Sequence, residues 1–207
     1  MSPVKIGVLI SGGGSNLQSI IDNVEEGNIE GRVELVISNK KDAYGLERAR
    51  KHNIEAIYVN RKDFQGEEDY NLHLIEILRE RGIGLVVLAG YLRVLSGDFI
   101  QAFKNKIINI HPSLIPSFCG RGYYGEKVHE AVIAYGVKLT GATVHFVDEG
   151  TDTGPIIMQE AVRVYEDDRV EDLQKRVLEK EHELLVAAVR NFCQGRIKID
   201  GRIVRVE

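Results

Sequence analysis

The sequence predicts an α/β protein with a Rossmann-like, doubly wound, mostly parallel sheet and a C-terminal hairpin. Three observations carry this prediction. Short β-branched runs alternate with helical stretches along the 207-residue chain. The run at 85–89 is apolar on both faces, as in a strand covered by helices on each side. Residues 196–206 are predicted to form a hairpin that turns at Asp200-Gly201.

Each element follows from its local pattern. Apolar, β-branched runs predict the strands, and apolar residues three or four apart predict the helices. Glycines end the first helix near Gly27 and the third helix at Gly82. The expected strands are 4–10, 33–37, 55–59, 85–89, 106–110, 140–147 and 156–164, and the expected helices are 17–24, 43–52, 70–81, 98–103, 127–135 and 170–192. No repeat or linker divides them, so we expect a single domain over 1–207.

The composition excludes several classes of protein. A formal net charge of −4, from 27 Lys and Arg against 31 Asp and Glu, argues against binding nucleic acid through its phosphates. No apolar run approaches the ~20 residues of a membrane span, and the N-terminus lacks the layout of a signal peptide. Cys119 and Cys193 form no CxxC motif. We therefore expect a cytoplasmic globular protein that binds neither nucleic acid nor a membrane.

A glycine-rich loop separates the first strand from the first helix. Gly12, Gly13 and Gly14 would let the backbone approach an anion, with the N–H groups of the helix start pointing at it. GxxxxGK[ST] is absent and position 17 is leucine, so the loop is neither a P-loop nor a dinucleotide-binding turn. Ser15 and Asn16 could cap the helix and bind a phosphate oxygen. The simpler alternative is a tight turn in which one of them is an ordinary N-cap, but we favour a monophosphate site.

Two polar residues stand at alternate positions near the end of the fifth strand. Asn109 and His111 would share one face of the strand, with Ile110 pointing into the core. Pro112 biases His111 toward extended geometry, and open α/β sheets bind ligands at the carboxyl ends of their strands. An amide donor beside an imidazole suits a carbonyl that becomes an oxyanion. The alternative is that both side chains satisfy buried backbone groups.

Three carboxylates, Asp148, Glu149 and Asp152, occupy the loop after the sixth strand. A carboxylate near an imidazole raises the pKa of the imidazole, as an acid catalyst would need at neutral pH. The sequence leaves open which of the three reaches His111. It also leaves open a solvated loop or a weak divalent-cation site.

Two further residues break the local pattern. Glu181 lies between Val177 and Leu185 at helical spacing, so its carboxylate would sit on an apolar stripe. There it must be paired, lie at the edge of the stripe, or bind a cation or amine. Arg93 follows the fourth strand and could hold an acidic group. The histidines have no metal-ligand spacing with one another or with cysteine, so we predict no metal site.

Four segments stand in the order and spacing of a known family: VLISGGGSNLQSII, VVLAGYLRVLS, NIHPSLIPSF and TVHFVDEGTDTGPII. They resemble the 10-formyltetrahydrofolate transferases and hydrolases, for which NIHPSLIP with a later DxGP is specific. The SGGGSN loop on a chain of this length is similar to the phosphoribosylglycinamide formyltransferases within that family, which act in purine biosynthesis. The resemblance covers nearly the whole chain.

The resemblance implies a reaction, in which the formyl group of 10-formyltetrahydrofolate passes to the amine of glycinamide ribonucleotide. Asn109 and protonated His111 would stabilise the oxyanion, and His111 would be the acid toward the departing folate nitrogen. Asp152 would keep His111 charged and help to move protons. A phosphate-binding half of about 1–105 would precede a catalytic, folate-binding half of about 106–207. The ribonucleotide-binding residues would be Gly14, Ser15, Asn16 and Glu181, and the folate-binding residues would be Leu92, Arg93, Val94, Leu95, Val147 and Asp148.

The chain departs from the family pattern in two places. The loop 119–124 replaces a stretch with Pro-Gly and histidine, and the segment 65–68 is acidic where family members often carry a basic residue for the folate tail. Lys62 or Arg61 could serve there instead. The alternatives are a formyltetrahydrofolate hydrolase with the same catalytic residues and a non-catalytic folate- or nucleotide-binding module. The oligomeric state is left open between monomer and homodimer.

Overall fold

The computed structural model describes residues 2–207 and confirms the predicted α/β fold with a mostly parallel sheet. The strands are β1 (Val4–Ile10), β2 (Gly31–Ser38), β3 (Glu55–Tyr58), β4 (Leu85–Leu88), β5 (Ile107–His111), β6 (Leu139–Phe146), β7 (Ile156–Arg163), β8 (Ile197–Asp200) and β9 (Ile203–Val206). The helices are α1 (Ser15–Glu25), α2 (Tyr44–Lys51), α3 (Glu67–Glu80), α4 (Gly97–Ala102), α5 (Glu126–Tyr135) and α6 (Val170–Cys193), with a 3-10 turn at Arg61–Asp63.

The chain forms two compact units, and the first runs to Ile108. Its strands lie in the order β3-β2-β1-β4 and all pair in parallel, so their carboxyl ends meet at one edge. Every residue of β4 is buried, as its apolar sequence predicts. Helices α1 and α2 pack on β2 and on each other. This arrangement places the loop after β1 beside the segment that follows β4.

The second unit runs from Asn109 to Glu207. In it β6 pairs with β7 in antiparallel register, β7 pairs with β9 in parallel, and β8 and β9 form the C-terminal hairpin. Helix α6 packs on β6, β7 and α5. Strand β5 crosses the boundary between the units and ends at His111 in the second.

Three local features differ from the sequence predictions. The hairpin turns at Gly201-Arg202, because Asp200 already pairs with Ile203. Helix α3 begins three residues earlier than expected, at Glu67, since acidic side chains in the first turn favour a helix N-terminus. The 3-10 turn was not predicted. None of the helices within residues 2–207 has the length and apolar character that a membrane span requires.

Candidate active site

The glycine-rich loop leads directly from β1 into α1. Gly14 is the N-cap of α1, with φ 72° and ψ 34°, and no side chain hydrogen-bonds to cap the helix. The alternative in which Ser15 or Asn16 is the N-cap is therefore wrong, because the helix already begins at Ser15. The first N–H groups of an α-helix have no partner within the helix, so this end of α1 presents donors to an anion. The left-handed backbone at position 14 explains why glycine stands there.

Ser11 ties this loop to the segment that follows β4. Its N–H donates to the carbonyl oxygen of Gly90 at 3.0 Å, and its hydroxyl accepts from the N–H of Leu92 at 2.9 Å. The same hydroxyl donates to Asn39 Oδ1 at 2.6 Å. The loop and the predicted folate-binding segment of this unit are thus linked by hydrogen bonds.

The predicted folate-binding segment exposes apolar surface. Leu92 and Val94 are 50% and 69% exposed, while Leu95 is buried. Two further predicted contacts, Val147 and Asp148, directly follow β6 in the second unit. Leu92 and Val94 supply an exposed apolar surface of the kind that aromatic ligands cover.

Arg93 lies in the same segment and is already engaged with an acidic residue. Its guanidinium forms an ion pair with Glu67 and lies 5.4 Å from the centroid of the Tyr70 ring. Glu67 Oε1 also accepts from Arg61 Nε at 2.9 Å. Glu67 therefore pairs with both Arg93 and Arg61, two basic side chains that could otherwise hold an acidic ligand.

Asn109, His111 and Asp152 lie together in the second unit. Asp152 Oδ2 is 3.6 Å from His111 Nδ1, and Asp152 Oδ1 is 3.5 Å from Asn109 Nδ2. Asp148 instead accepts a hydrogen bond from the hydroxyl of Thr153 at 2.5 Å, within its own loop. Of the carboxylates that the sequence left open, Asp152 is thus the one that faces His111.

His145 on β6 joins this cluster, although sequence reasoning did not assign it a role there. Its Nδ1 is 2.8 Å from the carbonyl oxygen of Phe146, and because a carbonyl only accepts, Nδ1 carries the proton. The other ring nitrogen, Nε2, then accepts from Asn109 Nδ2 at 3.1 Å, and it lies 3.7 Å from Asp152 Oδ1. This contact orients the Asn109 amide. A histidine inside the apolar run TVHFV was the available signal, since a buried imidazole needs partners.

The unusual loop after Pro116 contacts both His111 and Asp152 through its backbone. The carbonyl oxygen of Phe118 accepts from His111 Nε2 at 2.9 Å, and the N–H of Gly120 donates to Asp152 Oδ2 at 2.9 Å. Phe118 has the uncommon left-handed φ of 49°. These are main-chain contacts, so no side-chain pattern in the sequence could have indicated them.

The electrostatics of the resting site differ from the sequence expectation. Burial lowers the pKa of His111, and this outweighs the opposite influence of Asp152 and of the Phe118 carbonyl. The expectation that Asp152 keeps His111 charged at neutral pH is therefore wrong, because the cost of desolvating the imidazolium exceeds that attraction. Burial raises the pKa of the Asp152 carboxyl, but His145, His111 and the Gly120 N–H together hold it below its usual value. At neutral pH the pair is a carboxylate beside a neutral imidazole.

Two more titratable residues of the second unit are buried. Glu181 lies on α6 between fully buried Val177 and Leu185, which confirms its place on the apolar stripe. His129 lies on α5, where burial and the nearby His111 lower its pKa to about 4. Within residues 2–207, no group of three or more His, Cys, Asp and Glu side chains is arranged to hold a metal ion.

The fold and this cluster define a class of protein. The chain belongs to the formyl transferase family, which it matches over residues 4–189. Membership of this family implies a folate-type formyl donor.

Particular relatives narrow the class. The chain is 43% identical over 195 residues to a phosphoribosylglycinamide formyltransferase of Arabidopsis thaliana described as chloroplastic, and 37% identical over 203 residues to that of Haemophilus influenzae. These matches cover 94% and 98% of this chain and 67% and 93% of the relatives. The solved glycinamide ribonucleotide transformylase 1 of Symbiobacterium toebii superimposes with a TM-score of 0.94 at 47% identity, covering 99% of this chain and 94% of that one. The chain thus spans about two thirds of the plant protein and nearly all of the two bacterial ones.

Proposed function

We propose that the protein transfers the formyl group of 10-formyltetrahydrofolate to the amine of glycinamide ribonucleotide. The products are N-formylglycinamide ribonucleotide and tetrahydrofolate, in de novo purine (IMP) biosynthesis. The observation that carries the proposal is the cluster of Asn109, His111 and Asp152 in a formyl transferase fold. The similarity to proteins named for this reaction supports it. The substrates are small molecules, and we expect the reaction in the cytoplasm, by a monomer or homodimer.

The proposed phosphate contact for glycinamide ribonucleotide is the start of α1 in the first unit, and the proposed amine contact is Glu181 in the second. Gly14, Ser15 and Asn16 would supply backbone and side-chain donors, which the uncapped helix end supports. Glu181 is buried, and a carboxylate removed from water is stabilised by a cationic or amine partner.

The proposed folate contacts are the segment 92–95 in the first unit and, in the second, Val147 and Asp148 at the start of the loop after β6. The exposed Leu92 and Val94 suit the flat face of a pterin ring. Arg93 suits a carboxylate on the folate tail, and its present pairing with Glu67 supports an affinity for such groups.

The proposed mechanism moves one proton from the amine to N10 of the folate. The amine nitrogen bonds to the formyl carbon, the bond from that carbon to N10 breaks, and the amine loses the proton that N10 gains. Ionised Asp152 would accept this proton and pass it to His111 Nδ1, which it faces at 3.6 Å. The imidazolium formed in this way would then act as the acid toward N10. His111 thus keeps its predicted role but becomes charged during the reaction.

Asn109 is the proposed donor to the tetrahedral oxyanion. One of its Nδ2 hydrogens is committed to His145 at 3.1 Å, while the contact to Asp152 Oδ1 is long, at 3.5 Å. The hydrogen in the longer contact is the one available to the oxyanion, and the contact with His145 holds the amide in place. Such a donor, fixed before the reaction, stabilises developing charge without reorganisation.

The test is to mix the protein with 10-formyltetrahydrofolate and follow tetrahydrofolate release by absorbance, with and without glycinamide ribonucleotide. The proposal expects release only when the ribonucleotide is present. Release without it would indicate a hydrolase that uses the same residues with water as nucleophile. Absence of release in both cuvettes would overturn the enzymatic assignment and favour a binding module.

A further inference from the structure

Helix α2 contacts the glycine-rich loop through the loop's own carbonyl groups. The N–H of Gly45 donates to the carbonyl oxygen of Gly12 at 3.1 Å, and Nε of Arg48 donates to that of Gly13 at 2.9 Å. In a trans peptide the C=O and the following N–H point in opposite directions. Fixing these two carbonyls toward α2 therefore directs the N–H groups of Gly13 and Gly14 away from α2.

The two backbones approach so closely that neither position tolerates a side chain. A Cβ on Gly14 would lie 2.8 Å from Gly45 Cα. A Cβ on Gly45 would run into the side chain of Ile10 and lie 3.3 Å from Gly14 Cα. This explains two glycines, one in the loop and one in the first turn of α2, that a simple turn does not require.

Arg48 is itself held in place by neighbours other than the loop. Its Nη1 donates to Gln18 Oε1 on α1 at 3.1 Å, and its guanidinium lies 4.9 Å from the centroid of the Tyr44 ring. The planar guanidinium thus bridges α1, α2 and the loop at once. A bridge of this kind needs directional donors at two nitrogens, which lysine does not have.

We propose that Arg48, supported by Gly45, is a positioning residue for phosphate binding. It acts through the Gly13 carbonyl, turning the loop's N–H groups toward the anion, rather than by catalysis. The inference rests on the proposed function insofar as glycinamide ribonucleotide is the ligand. It adds to the loop a residue from another helix that the sequence motif does not contain.

The test compares Arg48→Ala with Arg50→Ala, a matched loss of arginine from the same helix. Arg50 is exposed and pairs with Glu47, remote from the loop carbonyls. Arg48→Ala is expected to raise the KM for glycinamide ribonucleotide roughly tenfold, with kcat and the KM for the formyl donor changed less than twofold. Arg50→Ala is expected to leave all three constants unchanged. An unchanged ribonucleotide KM in Arg48→Ala, or a loss confined to kcat, would overturn the proposal.

Arg48→Lys separates positioning from charge. Lysine keeps the positive charge but cannot donate from both nitrogen positions, so this variant is expected to resemble Arg48→Ala. If Arg48→Lys behaves as the unmodified protein, charge alone suffices and the positioning role is rejected. Thermal midpoints of the variants show whether each is folded at the assay temperature.

A binding measurement keeps this inference separate from the proposed function. Calorimetric titration with inorganic phosphate needs no turnover, and the unmodified protein is expected to bind it more tightly than Arg48→Ala does. If the unmodified protein lacks ribonucleotide-dependent release but shows this difference in phosphate binding, the proposed function fails and the positioning role stands. Equal binding by both proteins, or none by either, would overturn the positioning role.

Discussion

The glycine-rich loop of the first unit and the proposed catalytic cluster of the second (Asn109, His111 and Asp152) place their polar groups in opposite ways. In the loop at 11–16 the proposed donors to the phosphate are mainly backbone N–H groups, joined by the side chains of Ser15 and Asn16, and the Arg48 side chain holds the backbone. In the cluster the reactive groups are side chains, and the backbone holds them: the Phe118 carbonyl contacts His111 and the Gly120 N–H contacts Asp152. Backbone N–H groups do not change protonation near neutral pH, whereas the proposed mechanism requires His111 to gain and lose a proton.

This difference predicts which kinetic constant each region controls. Changes in the loop should weaken ribonucleotide binding and leave the chemical step intact, because backbone donors to a phosphate contribute equally to the ground and transition states. Changes in the cluster should lower kcat, because its groups act on charges that develop only during the reaction.

The largest effect is expected from His111→Ala. Removal of the imidazole takes away both the proton relay and the acid, so kcat should fall by about 10³-fold or more while ribonucleotide binding is retained. Steady-state rates together with calorimetric titration of glycinamide ribonucleotide measure the two quantities. His73→Ala, a loss of a part-exposed histidine on α3, is the control. Turnover within tenfold of the unmodified protein would reject the mechanism.

A smaller effect, confined to binding, is expected from Gly14→Ala. The alanine would meet a positive φ of 72° and a Cβ only 2.8 Å from Gly45 Cα, so the loop must shift away from α2. We expect the KM for the ribonucleotide to rise about 10- to 100-fold with kcat nearly unchanged.

Gly27→Ala is the matched control for this substitution. Gly27 has a similar φ of 78° at the end of α1, but a Cβ there meets nothing within 4 Å. It therefore has the same backbone strain without the collision. Equal KM values in the two variants would show that strain, rather than the packing of the loop on α2, determines binding.

Much of the fold and part of the site followed from sequence patterns. The buried strand β4 and the amphipathic α6 are local signals, because burial on two faces or on one stripe imposes a period on the residues themselves. Asn109 and His111 were placed together by strand alternation alone. These predictions require only the local sequence and not the identity of the residues that pack against each element.

The remainder depends on partners distant in sequence. Nothing local distinguishes Asp152 from Asp148, and the role of the Phe118 carbonyl lies in a main-chain atom that every residue has. The sequence places carboxylates in a loop that can reach His111, but it does not give the degree of burial that lowers the pKa of His111. Arg48 was missed for the same reason, since its target is a carbonyl on another element.

Acid should destabilise the second unit through His129. Its pKa is about 4 in the folded chain against an ordinary 6.5, so between these values the unfolded chain binds a proton that the folded chain does not. The contribution of neutral His129 to the free energy of unfolding is complete above about pH 6.5 and is lost as the pH falls toward 4. At pH 5 the loss from this group is about 2 kcal/mol. Urea unfolding at pH 7 and pH 5 measures it.

His129→Gln is the control, since glutamine does not titrate. The variant should lose about 2 kcal/mol less between pH 7 and pH 5, although some pH dependence remains because the pKa of His111 is also lowered. An identical loss in the variant would show that His129 is not the group responsible. The comparison uses the difference in free energy of unfolding between pH 7 and pH 5. A destabilisation by glutamine that is the same at both pH values therefore cancels.

The smallest effect is expected from Glu67→Gln, which tests whether a side chain of the first unit competes with a ligand. Glu67 now pairs with Arg93 and Arg61, and an acidic folate tail that binds Arg93 must displace it. Removing the carboxylate should lower the KM for 10-formyltetrahydrofolate by about two- to fivefold, the range expected for losing an exposed ion pair as competitor. Glu68→Gln removes the same charge one residue along and leaves the Arg93 pair intact. If both variants lower the KM equally, net charge is responsible and Arg93 has no special role. If neither does, Glu67 does not compete with the donor, and the proposed contact between Arg93 and the folate tail is rejected.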